Sequence, residues 1–272
     1  MKIMIAADME GISGVVDRSH VDSQTKEYQR IRKIMTEDVN AAIRGAKASG
    51  ADEILVVDGH GGGRNILLEE LESSAELYSG SPRPIYMLTG VDADVDAVIF
   101  IGYHARAGTT NAILSHTISS VKIQNIALND RPVGEIGLNA SLCGHFNVPV
   151  LMISSDQAGC LEANEWVPGL ETVSVKKACG RLAATCLPIK KAQEAIRVGA
   201  EKAVRNYAAG NNPAPLNTGK PVCIKMEFKS ETMADTASLL PGTERLDGYS
   251  IQFQTEDILS AYENLGTAIN LA

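Results

Sequence analysis

Apolar residues along this chain follow two rhythms. Ile3–Ala7 is an unbroken apolar run closed by Asp8, and Glu53–Asp58 repeats the form with Ile, Leu, Val and Val before its Asp. Short apolar runs bounded by polar residues predict strands buried on both faces. Residues 26–49 instead space Tyr28, Ile31, Met35, Val39, Ala42 and Ala46 three or four apart. Arg30, Lys33, Glu37, Arg44 and Lys47 fall on the opposite side, so this spacing predicts an amphipathic helix, with Gly50 as its stop. Further strands are predicted at Ala97–Tyr103, Ile123–Leu128 and Val148–Ser154. Strand, helix and strand joined by short loops predict an α/β fold: a mostly parallel sheet sandwiched by helices.

The rhythm changes after about Thr185. Pro188 is placed to open a helix whose buried stripe is Ile189, Ala192, Ile196, Ala203 and Tyr207. A loop rich in Gly, Asn and Pro follows at residues 210–219. Beyond it come a strand at Val222–Phe228, an alternating strand through Tyr249, Ile251 and Phe253, and a terminal helix carrying Ile258, Tyr262, Leu265 and Ile269. The expected organisation is therefore a catalytic α/β domain over residues 1–185 and a smaller C-terminal α+β domain over 186–272.

Composition narrows the function. With 272 residues and 44% hydrophobic content, a packed core is expected rather than disorder. A net charge of -8 and the absence of a basic run argue against nucleic acid as a partner. The pairs Lys176-Lys177 and Lys190-Lys191 read as solvated ends of elements. The apolar stretch before Asp8 is too short for a signal peptide, and no window suits a membrane span. Five cysteines without C-x-x-C spacing suit free thiols in a reducing compartment, so a cytoplasmic protein is expected.

In open parallel sheets, ligands bind beyond the carboxyl ends of the strands. The predicted strand ends carry Asp8 and Glu10, then Asp58 and His60, then His104. The turn at residues 129–134 delivers Glu135 to the start of a helix, and His116 lies near the same edge. In an extended backbone Asp8 and Glu10 would point to one side. Alternatively, a strand-end Asp is a helix N-cap, a lone His is structural, and Glu135 complements a helix dipole. The convergence of all of them on one edge favours a metal site. Carboxylates with imidazoles suit Zn, Mn, Fe or Co. The charge of -3 from Asp8, Glu10 and Glu135 would be left in surplus by one divalent ion, whereas two ions with a bridging hydroxide reach neutrality. His20 and His145 share no such placement and read as surface or structural. The His60–Gly63 run lacks both a G-x-S-x-G elbow and a following Lys-Ser/Thr, so its glycines read as room for the backbone near a metal or substrate.

The segments DMEGISG (8–14), DGH (58–60), GYHARA (102–107), SH (115–116) and NDRPVGEIGLNA (129–140) resemble the D-aminopeptidase family of binuclear zinc metallopeptidases, the dipeptide-transport-operon type. The resemblance extends to PGTE (241–244) and to Ile251-Gln252-Phe253-Gln254. It implies two Zn²⁺ ions, with Mn²⁺ or Co²⁺ as alternatives. Asp8 would bridge them, Glu10 and His104 would hold one, His60 and Glu135 the other, and His116 would be catalytic. It also implies a ring-like homodecamer. The three glycines after His60 replace bulkier polar residues of the family pattern. The expected activity is removal of the N-terminal residue from short, D-amino-acid-containing peptides by a metal-bridging hydroxide. A binuclear phosphoesterase is the alternative enzyme, although only Arg64, Arg106 and Arg131 lie near these motifs. A non-enzymatic peptide- or metal-binding protein is the other alternative.

Overall fold

The computed structural model describes residues 1–272. Its first half runs β1 (Lys2–Ala7), α1 (Lys26–Ala48), β2 (Glu53–Asp58), β3 (Ala75–Tyr78), β4 (Ala97–Ile101), β5 (Ile123–Leu128), β6 (Arg131–Pro132) and α2 (Glu135–His145). The second half runs β7 (Val150–Asp156), α3 (Gln157–Trp166), β8 (Glu171–Ala178), β9 (Ala184–Cys186) and α4 (Ile189–Ala208). It ends with β10 (Val222–Phe228), α5 (Glu231–Ala237), β11 (Thr243–Arg245), β12 (Ser250–Thr255) and α6 (Ile258–Leu271). No helix is long and apolar enough to cross a membrane.

Seven strands form one sheet in the order β3-β2-β1-β4-β7-β8-β9, parallel except at the β9 edge. The period-2 alternation of β1 explains the layering. Ile3, Ile5 and Ala7 face a core shared with α1 and α4, while Met4 and Ala6 face a second core built with α2, α3 and the other sheet. Helix α1 starts where the Thr25 side chain accepts from Tyr28 N–H, and it buries the predicted stripe. It crosses α4 closely: a Cβ on Gly45 would stand 2.2 Å from the Arg197 carbonyl oxygen.

The second sheet is antiparallel, in the order β11-β12-β10-β5-β6. Ile123–Leu128 therefore does not join the parallel sheet, as the strand pattern had suggested. Its burial is partial, with Ile123, Ile126 and Leu128 inward and Gln124 exposed, as suits a strand covered on one face. Of the segment after residue 185, α4 packs on α1 beside the parallel sheet. The strands β10, β11 and β12 pair with one another and, through β10, with β5.

Strand β1 lies between β2 and β4, and the chain leaves it in opposite directions toward these neighbours. That reversal opens a crevice at the carboxyl ends. The loops there are joined backbone to backbone: Asp8 N–H donates to the Ile101 carbonyl at 2.8 Å and Gly11 N–H to Gly102 at 2.7 Å. A Cβ on Gly11 would lie 1.9 Å from the Tyr103 carbonyl oxygen, so only glycine permits this approach. Gly11→Ala is expected to push the two loops apart and lower stability by about 1–3 kcal/mol, read by urea unfolding. Unchanged stability would mean that the approach is not needed.

Candidate active site

Six predicted side chains meet in the crevice. Asp8 follows β1 directly, but Met9-Glu10 form a turn rather than an extended segment. The Gly11–Gly102 hydrogen bond and the Ile12 N–H donated to Met9 hold that turn and bring Glu10 to the same side as Asp8. Asp8, Glu10, His104 and Glu135 are all buried. His60 Nδ1 lies 3.2 Å from Asp8 Oδ1 and 3.1 Å from Glu10 Oε2. His104 Nε2 lies 3.4 Å from both Asp8 Oδ2 and Glu135 Oε1. His116 Nε2 lies 3.8 Å from Glu135 Oε1, and its ring stacks on that of His104 with centroids 4.2 Å apart.

The backbone fixes each imidazole. His60 Nε2–H donates to the Val21 carbonyl, His104 Nδ1–H to Ala105 and His116 Nδ1–H to Leu114, at 3.1, 3.0 and 2.9 Å. A ring whose one N–H is committed to a carbonyl presents its other nitrogen as a lone-pair donor. In all three rings that second nitrogen faces the carboxylates. Asp8 Oδ2, Glu10 Oε2 and His104 Nε2 are buried without a hydrogen-bond partner. Asp8, Glu10 and His104 offer atoms within 4.8 Å of one another, as do His104, His116 and Glu135. Orphaned oxygens and an orphaned imidazole nitrogen at this spacing are the donor set of a borderline divalent cation.

Electrostatics show the strain in the protein groups alone. Burial raises the Asp8 carboxyl to about 7, and the neighbouring Glu10 charge pushes the same way. Burial acts likewise on Glu10 and Glu135 but is overcome: His60 holds Glu10 well below the carboxylate range, and His104 lowers Glu135. Burial opposes the charged form of His60 and His104, yet Glu10 beside the first and Glu135 beside the second carry both well above the ordinary imidazole value. His116 is lowered, by burial and then by the charge on His104.

A family model described as D-aminopeptidase matches residues 1–267. The chain belongs to the D-aminopeptidase family. It is 38% identical over 273 residues to the D-aminopeptidase of Bacillus subtilis (strain 168), covering 100% of this chain and 98% of that one. Its fold matches the solved zinc-dependent D-aminopeptidase DppA of Bacillus subtilis, described as a self-compartmentalizing protease. That match has a TM-score of 0.95 at 38% identity and covers 100% of this chain and 97% of the other.

Several supports of this D-aminopeptidase site escaped the sequence reading. Asp58 is buried and accepts from Asn65 N–H at 2.6 Å, Ile66 N–H at 2.8 Å and Asn65 Nδ2 at 2.6 Å, closing the loop that carries His60. Asn65 Nδ2 also donates to the His60 carbonyl, and Tyr28 Oη–H donates to Asn65 Oδ1. Within that loop Gly61 and Gly63 take φ of 51° and 65°, so their role is to make the turn as well as to leave room. Glu135 is the first residue of α2, and its Oε1 accepts from Ile118 N–H at 2.7 Å. His20 is structural, its Nδ1 accepting from Val16 N–H, and His145 packs edge-on against Phe146.

Lys176 is the largest departure from the sequence reading. It is buried rather than solvated, and its Nζ donates to the Glu10, Ile12 and Val15 carbonyls at 2.7, 2.8 and 2.7 Å. Desolvation pushes its ammonium down to about 8. It lies on β8, where Val173 and Val175 are buried and Thr172 and Ser174 exposed. A register shift against β7 between Ser174 and Lys176 breaks that alternation, so Lys176 is buried while Lys177 stays exposed. Lys176→Met would strand three carbonyls, each worth about 1–3 kcal/mol when buried without a donor. We expect a lower unfolding midpoint and faster amide exchange confined to residues 10–15. Equal exchange in both proteins would exclude this anchoring role.

Proposed function

We propose that this chain is a zinc-dependent D-aminopeptidase that removes the N-terminal D-residue from short peptides. The observation that carries this reading is the orientation of three imidazoles. Each commits one N–H to a backbone carbonyl and turns its free nitrogen toward Asp8, Glu10 and Glu135. Family membership supports the peptidase chemistry over the phosphoesterase alternative. Arg64, Arg106 and Arg131 do not line the cavity: Arg131 lies 3.7 Å over the Trp166 ring, and Arg106 Nη1 donates to the Ala107 carbonyl.

In the proposed assignment Asp8, Glu10 and His104 would hold one divalent cation, and Asp8, His60 and Glu135 a second. The mutual spacing of Asp8, Glu10 and His104 supports the first set. The second is supported by the approach of His60 to the bridging Asp8 and by the burial of Glu135. When bound, such a pair polarises a scissile carbonyl and lowers the pKa of a water.

The protein's own groups do the rest. His116, kept out of this ligand set, is held by Leu114 so that Nε2 opens to the cavity. There Nε2 takes a proton from the attacking water and passes it to the leaving amine, a role typically worth a factor of about 10²–10⁴. Its stacking on His104 fixes the ring plane against rotation.

Two substitutions separate these roles. His116→Ala should retain both metals by elemental analysis while kcat falls by about 10²–10⁴. Glu10→Ala should lose one equivalent of metal. Loss of metal from the His116 variant would make it a ligand, and full metal content in the Glu10 variant would remove that residue from the set.

The proposed state in solution is a homodecamer with its active sites on an internal channel. It is supported by the family resemblance and by the self-compartmentalizing description of DppA. Analytical ultracentrifugation should give about ten times the chain mass of 28.9 kDa. A monomeric mass that stays active on peptides would refute it.

A further inference from the structure

The acidic cluster forms one part of a cavity of about 620 Å³, and the same cavity is lined by two arginines, Arg18 and Arg181. Arg181 is tied to the His116 segment. Its carbonyl accepts from Leu114 N–H at 3.0 Å, and its Nη2 donates to the Ser115 carbonyl at 3.3 Å. Arg18 sits on a single helical turn at residues 18–20, whose start is capped by the Asp17 side chain. Its Nη2 reaches Ser120 Oγ at 3.4 Å.

Neither guanidinium has a carboxylate within 4.0 Å, whereas Arg30, Arg44, Arg197, Arg205 and Arg245 are each paired with an acid. A guanidinium offers five N–H donors in a planar fork. Here each spends one on a neutral oxygen and has no protein partner for the rest. The cavity thus has the candidate metal-holding carboxylates Asp8, Glu10 and Glu135 on its lining, and also Asp22 and two guanidinium groups that lack an acid partner. A short peptide with its scissile bond at the candidate metal site would carry its C-terminal carboxylate within the same cavity, where a guanidinium can pair with it.

We propose that Arg181, together with Arg18, forms the site that binds the C-terminal carboxylate of the substrate peptide. The proposal rests on the aminopeptidase reading above and deepens it: the substrate is recognised at both ends. Because an extended chain spans only about 3.3–3.6 Å per residue, holding both ends confines the substrate to short peptides. Longer chains and peptides blocked at the C-terminus would lose the carboxylate contact while keeping the contacts at the scissile bond.

The test uses the metal-loaded full chain with two substrates that differ only at the C-terminus, D-alanyl-D-alanine and D-alanyl-D-alaninamide. Release of the second residue is followed by chromatography. The wild-type protein should favour the free acid by about tenfold or more in kcat/KM, with the difference in KM, as suits a charge-assisted contact present before and during reaction. In Arg181→Met the ratio of the two kcat/KM values should fall at least about fivefold, and Arg181→Lys should recover part of it because the charge remains. Arg18→Met should lower the ratio less.

Equal kcat/KM for both substrates in the wild type would overturn the proposal without any variant, which covers an Arg181→Met protein that fails to fold. An Arg181→Met protein that loses both activities in the same proportion would overturn it as well, leaving Arg181 as a brace for the His116 segment. If the wild type hydrolyses neither substrate, the aminopeptidase reading fails and the carboxylate site with it. Continued turnover in the other two cases keeps those failures distinct.

Discussion

Everything in this structure answers to the burial of three carboxylates around two shared imidazoles, His60 and His104. Asp8, Glu10 and Glu135 are buried, and no Lys or Arg side chain forms an ion pair with any of them. Placing such charges out of water carries a penalty of several kcal/mol each unless compensating charge is supplied. The protein groups alone answer with protons: His60 and His104 are carried well above their ordinary pKa, and Asp8 rises to about 7. A pair of divalent cations replaces those protons with charge that also does chemistry. The same electrostatics therefore makes the cation-free site uncomfortable and the loaded site reactive.

A site under that stress needs a stiff frame, and the frame is mostly backbone. The β1 and β4 loops are joined by two main-chain hydrogen bonds, at a distance that excludes a Cβ on Gly11. Asp58 spends both carboxylate oxygens on the loop that carries His60. Lys176 gathers three carbonyls of the segment after Asp8 from below. These polar groups are buried and hydrogen-bonded, so they fix geometry rather than add attraction. Because their partners are carbonyl and amide groups, they can hold the ligands still without neutralising them.

The strand ends were legible in sequence because a parallel strand buried on both faces is an uninterrupted apolar run, and its end is marked by the first polar residue. Asp8, Asp58 and the residues after Ile101 stood out for that reason, as did helix α1 by its stripe. Strand β8 was hidden because Glu171, Thr172, Ser174, Lys176 and Lys177 interrupt its apolar positions, and its buried lysine looks like any exposed pair. Strand β5 was seen but misplaced, since three buried apolar residues do not say which sheet they cover. Arg18, on its short helical turn, and Arg181, in a loop, are both exposed, and nothing local distinguishes them from ordinary surface cations. Their meaning comes from sharing one cavity with the buried carboxylates, which for Arg181 lie far away in sequence.

The site also explains why two sheets are joined so closely. Residues 104–135 leave the parallel sheet with His104, pass His116 and Ile118, build β5 and β6, and return with Glu135 at the head of α2. The β5–β6 turn is tight, with Asn129 and Asp130 at φ of 48° and 62°, so the strand pair fixes where α2 begins. Helix α2 then locks that start to both sheets. Asn139 on its buried face donates to Tyr103 Oη beyond β4 and accepts from Tyr262 Oη on α6, each at 2.9 Å. A shift between the sheets would therefore move Glu135 and His116 relative to Asp8 and His60, by way of rigid elements rather than flexible loops. Asp8, Glu10, His60 and His104 follow strands of the parallel sheet while Glu135 heads α2, so the precision of the candidate site is set by how well the two sheets pack against α2.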